Sequence, residues 1–580
     1  MAGIPRTHVS RRAARGRRAR ATFERLESRA LLAVAPLPAV SIADASVTEG
    51  NSGTRTIAFT VGLSAPAKSP AMVRFATSNG TATTAGGDYV AKSGWATIGV
   101  GKSQATVTVT VRGDTVVEAD ETFRVTLSSP IGCTLGQATA TGTILNDDAP
   151  PTSPGPGSWT ILVYMTGENL NSYARADINE MEKALAGMPA GVRFVVSWDQ
   201  PKLGVGTAYA TGGGTQAAWR TYGRSVLTAD TTSTIASTFD LSPGERNTGD
   251  PATLVDFVTW GIAQAPADHY VLQMWGHGGG LDGSQFDSES GGDALTIPEM
   301  AAALGAPGVP AFDVVSYDNC LMAMAEIGAA IAPKPGGVYV ASEEVINGPG
   351  QDYTTAFSAL KVADPGQVTA AQVAAGMVTS YGTQYLNDWG QCDTFSATSA
   401  AGYASFTAAI RDFVTASAAL ASGDRAAVRA AADGSIAYDV SSFVDVGSFM
   451  GRVAATASLP AALRTAASGV TSALASLVTS KTADQRGSSG LSIYLPTWAD
   501  DPSLATYATD AAAFCAATGW NSFATWLATG TRSAAAPTAG LAPTKARHGD
   551  PAISAAAFAA LASGETHAPS PRRGAARRAG

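Results

Sequence analysis

Histidine is scarce in this 580-residue chain, which holds five. Cysteine is scarcer, with four (Cys133, Cys320, Cys392 and Cys515), and no two of them have CxxC spacing. Four thiols so widely scattered make neither a disulfide framework nor a structural zinc site. Charged residues are only 15 % of the chain, and the net charge is −8. A nucleic-acid-binding domain would carry a basic balance instead, so no nucleic-acid partner is expected. No apolar run approaches the length of about 18 residues that a membrane-spanning helix needs. What is abundant is apolar: 45 % hydrophobic residues, enough for large cores. At about 150 residues per domain, the length implies several domains.

The style of the sequence changes along its length. Residues 1–37 are a basic leader, with Arg11, Arg12, Arg15, Arg17, Arg18 and Arg20. Residues 38–148 are rich in Thr, Val, Ser and Gly and alternate with period two, as in Thr106-Val-Thr-Val-Thr-Val111. That alternation buries one face of a strand and wets the other, and several such strands between Gly/Asp turns read as an antiparallel sandwich. Residues 149–157 hold four prolines in nine positions and form a linker. Residues 158–531 mix short apolar runs with helical spacing. Thr160–Met165, Val192–Ser197, Tyr270–Trp275, Phe312–Tyr317 and Val338–Ala341 read as buried parallel strands, Asp177–Leu185 and Cys320–Ile331 as helices, and Leu491–Leu495 as a late strand. Residues 532–580 are an Ala/Pro/Ser/Arg-rich tail expected to be disordered. The expected architecture is multidomain: an all-β sandwich, then an α/β domain with a mostly parallel sheet flanked by helices.

Two strand exits carry chemistry. Trp275-Gly-His-Gly-Gly-Gly280 follows one apolar run and Asp318-Asn-Cys-Leu-Met322 follows the next. Ligands of open parallel sheets bind outside the carboxyl ends of the strands, so His277 and Cys320 should meet at one sheet edge. An imidazole there can take the thiol proton and return it to a leaving amine. A helix beginning directly after Cys320 would favour the thiolate through its dipole. The N–H groups of Gly278 and Cys320 could hold an oxyanion. The bland alternative is that Cys320 is a small buried hydrophobe. Against it, the domain's other histidine, His269, lies at a strand's start, the wrong end of the sheet. Cys392 and Cys515 lie in no such context and read as inert thiols.

At these residues the chain resembles the clostripain family of cysteine peptidases, which share a caspase-like fold. The resemblance covers about residues 158–497. Its blocks are Thr160–Asn169, the His-Gly-Gly and Asp-Asn-Cys-Leu-Met segments, Ala341-Ser-Glu-Glu344, Gly350-Gln-Asp-Tyr353, Val444-Asp-Val-Gly447 and Gly490-Leu-Ser-Ile-Tyr-Leu-Pro496. It implies an endopeptidase that cleaves protein or peptide substrates after Arg or Lys, with His277 and Cys320 as a catalytic dyad and no cofactor needed for chemistry. Asp318, two residues before the nucleophile, would hold the substrate cation, with Glu343 and Glu344 adding acidity; an Asp capping the next helix is the alternative. Such zymogens are often cut after a basic residue between the histidine and the cysteine. Residues 278–319 contain no Lys or Arg, so no such self-cleavage is expected there. That segment's Asp282, Asp287, Glu289 and Asp293 could bind calcium or form a solvated acidic loop.

Residues 40–148 resemble a Calx-β repeat, through Val47-Thr-Glu-Gly50, Phe75–Ala82, Gly87-Asp-Tyr89, Gly113–Phe123 and Gly142–Asp148. The resemblance implies a structural calcium site at one end of the sandwich, from Glu49, Asp88, Asp114, Glu118, Asp120, Glu121, Asp147 and Asp148. The plain alternative is solvated turns. Phe23–Ala33 is similar to the LEPRxLL motif of exported bacterial surface proteins, with Ser28 where proline is usual. It implies a secreted or surface-attached protein. A different function remains open on sequence alone: a surface adhesin or scaffold whose peptidase-like domain is inactive.

Overall fold

The structure, a computed structural model, describes residues 36–50, 53–84, 86–113, 119–148, 157–200, 221–331, 336–385 and 393–532. Most of the leader with its export-like motif, Asp114, Glu118, most of the linker, Cys392 and nearly all of the tail lie outside the described residues.

The first region is built from β1 (Ala39–Ile42), β2 (Ala45–Thr48), β3 (Thr54–Leu63), β4 (Ala71–Asn79), β5 (Ser93–Ile98), β6 (Gln104–Arg112), β7 (Glu121–Ile131), β8 (Thr134–Leu135) and β9 (Thr139–Leu145). They form two sheets, in the orders β6-β3-β1-β8 and β2-β9-β7-β4-β5. In β6 the valines at 107, 109 and 111 are buried between the sheets while the threonines alternate outward. Each fully buried valine of this kind stabilises the fold by roughly 1.5–3 kcal/mol. The Phe123 ring stacks on Tyr89 at 4.4 Å, and a Cβ on Gly142 would stand 2.5 Å from that Phe123 ring. Only glycine fits there.

The second region centres on an eight-stranded sheet. Its strands are β10 (Trp159–Thr166), β11 (Val192–Asp199), β12 (Tyr222–Val226), β13 (His269–Trp275), β16 (Val314–Asp318), β17 (Val338–Ala341), β18 (Ser396–Ser399) and β20 (Val478–Lys481), in the order β12-β11-β10-β13-β16-β17-β18-β20. β14 (Ser284–Asp287) and β15 (Asp293–Leu295) form a hairpin beside it; β19 (Phe443–Asp445) and β21 (Ser492–Tyr494) form another two-stranded sheet. The five apolar runs are mutually parallel neighbours, and the outer strands β12, β18 and β20 pair antiparallel.

β10 is buried throughout, and its side chains alternate between two cores: Leu162 and Tyr164 on one face, Ile161, Val163 and Met165 on the other. Helices cover both faces. α1 (Asn171–Leu185) packs on the second core, and α2 (Pro251–Gln264), α3 (Ile297–Leu304) and α4 (Ala325–Ile331) pack on the first. α3 opens with a capping box of Thr296 and Glu299.

The expected late strand is present at Ser492–Tyr494, where it pairs with Phe443–Asp445 in a separate two-stranded sheet. One expectation needs correction. The helix after Cys320 begins at Ala325, not at Leu321. Leu321 has φ +64°, its N–H donates to the Glu344 carbonyl at 3.0 Å, and Ala323 N–H donates to the Ser342 carbonyl at 2.7 Å. Backbone groups that a helix would use are bound to the exit of β17 instead.

Candidate active site

β13 and β16 are adjacent and in register, with Trp275 opposite Asp318. Two residues beyond those partners stand His277 and Cys320, so both leave the same edge of the sheet at the same height. The loops that carry them touch: a Cβ on Gly278 would lie 2.4 Å from the Cys320 carbonyl oxygen and 2.9 Å from Asn319 Cβ. Asn319 Nδ2 donates to the His277 carbonyl and to Gln285 Oε1, each at 2.9 Å. Gln285, held at φ +58°, donates from Nε2 to the Tyr164 carbonyl at 3.1 Å, to Thr166 Oγ1 at 3.0 Å and to the Trp275 carbonyl at 3.1 Å. One buried amide pair thus fastens the ends of β10, β13 and β16 together.

His277 and Cys320 are both buried, at 8 % and 7 % exposure. Burial lowers the His277 pKa to about 4 and raises that of Cys320 to about 12, with the negative field of Glu344, Asp439 and Asp318 adding to the latter. The Ile346 N–H donates to the Cys320 sulfur at 3.3 Å. At neutral pH the resting pair is therefore neutral imidazole and neutral thiol. The expected help from a helix dipole is absent because α4 starts too late. His277 Nε2 lies 2.6 Å from Asn169 Oδ1, a partner to which the sequence reading gave no role.

Asp318 ends β16 and is buried, and burial pushes its carboxyl up to about 7. Its Oδ2 accepts from the Gln351 N–H at 3.0 Å and the Tyr353 hydroxyl at 3.1 Å, while its Oδ1 has no hydrogen-bond partner. It caps no helix. Asp177 of α1 stands close by, bonded to Trp275 Nε1 at 2.7 Å, and burial with repulsion from Asp318 and Glu180 raises its pKa well above the usual range. Sequence spacing could not have found Asp177, which comes from another layer.

Glu343 and Glu344 turn to internal work. Glu344 Oε1 accepts from Val345 and Asp439 N–H at 2.9 and 3.0 Å, and its Oε2 pairs with Arg486 Nη1 at 2.7 Å. Glu343 Oε2 accepts from Gly490 N–H at 3.1 Å. His269 lies at the opposite end of β13, bonded to Asp313 at 3.1 Å. Asp287, expected in a solvated or calcium-binding loop, is buried and accepts from Thr248 N–H and from Ser290.

In the β-sandwich, single carboxylate oxygens of Glu49, Asp147 and Asp148 lie within 4.8 Å of one another, the one such group among the described residues. Asp88 Oδ2 accepts from Thr83 N–H at 2.6 Å, and Asp120 Oδ1 from Asn146 N–H at 3.1 Å. Glu121 sits at the start of β7.

Residues 163–526 match the clostripain family, and residues 39–148 match the Calx-beta domain. The chain belongs to the clostripain family. Clostripain of Hathewaya histolytica is 33 % identical over 135 residues, covering 20 % of this chain and 25 % of that one, so the chain spans about a quarter of that relative's length. Among solved structures, a secreted C11 cysteine protease of Bacteroides thetaiotaomicron bound to an irreversible peptide inhibitor is 18 % identical, with TM-score 0.47 over 63 % of this chain and 100 % of that one. An inactive zymogen C11 protease of Parabacteroides distasonis is 19 % identical, with TM-score 0.43 over 59 % and 93 %. The apo Calx CBD1 domain is 26 % identical, with TM-score 0.17 over 19 % and 99 %. No described helix is long and apolar enough to cross a membrane.

Proposed function

We propose that this chain is a cysteine endopeptidase that cleaves peptide bonds after Arg or Lys, with Cys320 as nucleophile and His277 as base and acid. The observation that carries the reading is the contact between the two strand exits, which bear His277 and Cys320 two residues beyond the paired Trp275 and Asp318. A neutral pair is suited to concerted chemistry. As the Cys320 sulfur bonds to the substrate carbonyl carbon, its proton passes to His277. The carbonyl oxygen gains negative charge, which the N–H groups of Gly278 and Cys320 would stabilise. His277 then protonates the leaving amine, the C–N bond breaks, and a thioester remains. Water, deprotonated by the same imidazole, releases the acid and restores the thiol.

Asp318 is the carboxylate that supports specificity for basic residues. Its unpartnered oxygen and its neighbour Asp177 make a buried acidic pair that a guanidinium or ammonium would relieve. Glu343 and Glu344 support the surrounding backbone instead. In the sandwich, Glu49, Asp147 and Asp148 offer the hard oxygen donors that calcium takes, as a structural ion remote from the chemistry. The leader motif supports export and attachment at the cell surface.

A fluorogenic peptide with Arg or Lys at P1 tests the reading. The full chain should cleave it, iodoacetamide should stop it, and Cys320→Ala should be inert. Cleavage retained in Cys320→Ala would sink the assignment; wild type inert toward every peptide would favour an adhesin or scaffold. Calcium should raise the melting temperature of the full chain, and Glu49→Gln with Asp147→Asn should remove that rise.

A further inference from the structure

The turn after β10 is a single 3-10 turn, Glu168–Leu170, and it is held more firmly than a surface turn needs to be. Glu168 has φ +39°, a left-handed conformation that costs a non-glycine residue roughly 1–3 kcal/mol and persists only where its surroundings over-determine it. Those surroundings are specific. Ser288 donates to Glu168 twice, from N–H at 2.7 Å and from Oγ at 2.6 Å. Gly167 N–H donates to the Asp199 carbonyl at 2.9 Å. Just past the turn, Asn171 Oδ1 accepts from Trp198 Nε1 at 3.0 Å. Contacts from β11, its exit and the β14–β15 hairpin therefore fix a half-buried turn whose middle residue, Asn169, places its Oδ1 2.6 Å from His277 Nε2.

The acceptor in that contact is an oxygen, so Nε2 carries the ring hydrogen. A neutral imidazole has one N–H and one lone pair, and the lone pair then belongs to Nδ1. We infer that Asn169 is a positioning residue for the proposed proton transfer: its Oδ1 accepts the Nε2–H of His277, setting the ring's tautomer and plane so that Nδ1 is the nitrogen that takes the Cys320 proton. This inference rests on the peptidase reading given above. An uncharged amide suits the role. A carboxylate at the same distance would favour imidazolium, because an opposite charge within about 4–6 Å raises a histidine pKa by roughly 1–3 units. Asn169 orients the ring and leaves it neutral, ready to accept a proton rather than already holding one. When His277 becomes charged during the reaction, the same oxygen accepts a stronger, charge-assisted hydrogen bond.

The test uses the full chain with Asn169→Ala and Asn169→Asp. One readout is peptide cleavage with kcat and KM separated. The other is the rate of iodoacetamide alkylation at Cys320, followed on its own peptide by mass spectrometry across pH. Asn169→Ala should lower kcat about 10- to 100-fold, since misplacing a reacting group by about 1 Å costs on the order of 100-fold, with KM changed less than about twofold. It should slow Cys320 alkylation as well. Asn169→Asp keeps the acceptor, so it should retain more kcat than Asn169→Ala, and it should move the acid limb of both cleavage and alkylation upward by about one pH unit or more. A purely structural role would not move that limb. The inference is overturned if Asn169→Ala cleaves within twofold of wild type, or if Ala and Asp lose activity equally with the limb in place. Failure of the peptidase reading looks different: no peptide is cleaved, or Cys320→Ala still cleaves. In that event the alkylation profile alone decides, and identical profiles in wild type and both variants overturn the role of Asn169. If Asn169→Ala fails to fold, the limb of Asn169→Asp carries the decision.

Discussion

His269 and His277 flank the same strand, one at its first residue and one two residues past its last, and they live in opposite conditions. His269 keeps 30 % of its side chain exposed, bonds Asp313 and stacks on Trp159 at 4.6 Å. His277 is buried, its Nε2 stands against the uncharged amide of Asn169, and burial lowers its pKa to about 4. A histidine beside a carboxylate at a strand's start fastens layers together. A histidine kept neutral at the carboxyl edge, next to a thiol-bearing loop, is placed to move a proton. The fold itself sorts the two, because parallel strands send all their carboxyl ends to one side.

The largest expected effect tests that sorting directly. Cys320→Ala should abolish cleavage, and His277→Ala should cost on the order of 10⁴-fold or more in kcat, as for other members of a nucleophile–base pair. Measured side by side, His269→Ala should stay within a few-fold of wild type. If His269→Ala matched the loss of His277→Ala without unfolding the protein, the contrast between the two strand ends would be broken.

Much of this was legible beforehand, and for a physical reason. β13 and β16 are short apolar runs ending in residues that no core would choose, and a parallel sheet makes such exits converge. The contacts that refine the site were not legible. Asn169 and Asp177 reach it from a turn and a helix about a hundred residues or more away in sequence, Gln285 from a hairpin on the loop between the two strands, and no spacing rule links them to His277 or Asp318. The positive φ of Leu321 carries no glycine to announce it, so the segment read as helix. Glu343 and Glu344 looked available because their partners, Arg486 and Gly490, lie in a loop well over a hundred residues further on.

A second, smaller effect sharpens the comparison by turning to the neighbouring strand. Asp318→Asn should lower kcat/KM for Arg- and Lys-P1 peptides by about 100-fold, in line with the roughly 2–5 kcal/mol lost when one member of a buried charge pair is removed. Peptides with an uncharged P1 should lose far less. Equal losses for both classes would place the cation elsewhere.

The pH profile separates His277 from Asp318. His277 must be neutral to accept a proton, so its protonation cuts activity only as pH falls through about 4. Asp318 must be charged to hold a cation, and burial raises its pKa to about 7. For Arg-P1 peptides, kcat/KM should therefore fall as pH drops below about 7, up to tenfold per unit, and again near 4. For uncharged P1, or in Asp318→Asn, the upper limb should vanish. The same shift has a sign in stability. A carboxyl whose pKa is raised on folding contributes stability that is complete below about 3.9 and is lost as pH rises through about 7. Relative to wild type, substrate-free Asp318→Asn should thus gain melting temperature between about pH 4 and 7, and keep that gain above it.

The smallest effect belongs to the far end of β13. His269→Gln keeps a hydrogen-bonding group near Asp313 and gives up part of the stacking on Trp159. A partly exposed contact of this kind contributes on the order of 1 kcal/mol. Urea unfolding should register that loss, while kcat, KM and both pH limbs stay where they are in wild type. A shifted limb would mean that the two ends of the strand are electrostatically coupled through the core. Between the two ends, Val271, Leu272 and Met274 are fully buried and uncharged, and the buried polar residue Gln273 donates its Nε2 to the adjacent Met274 carbonyl at 3.2 Å.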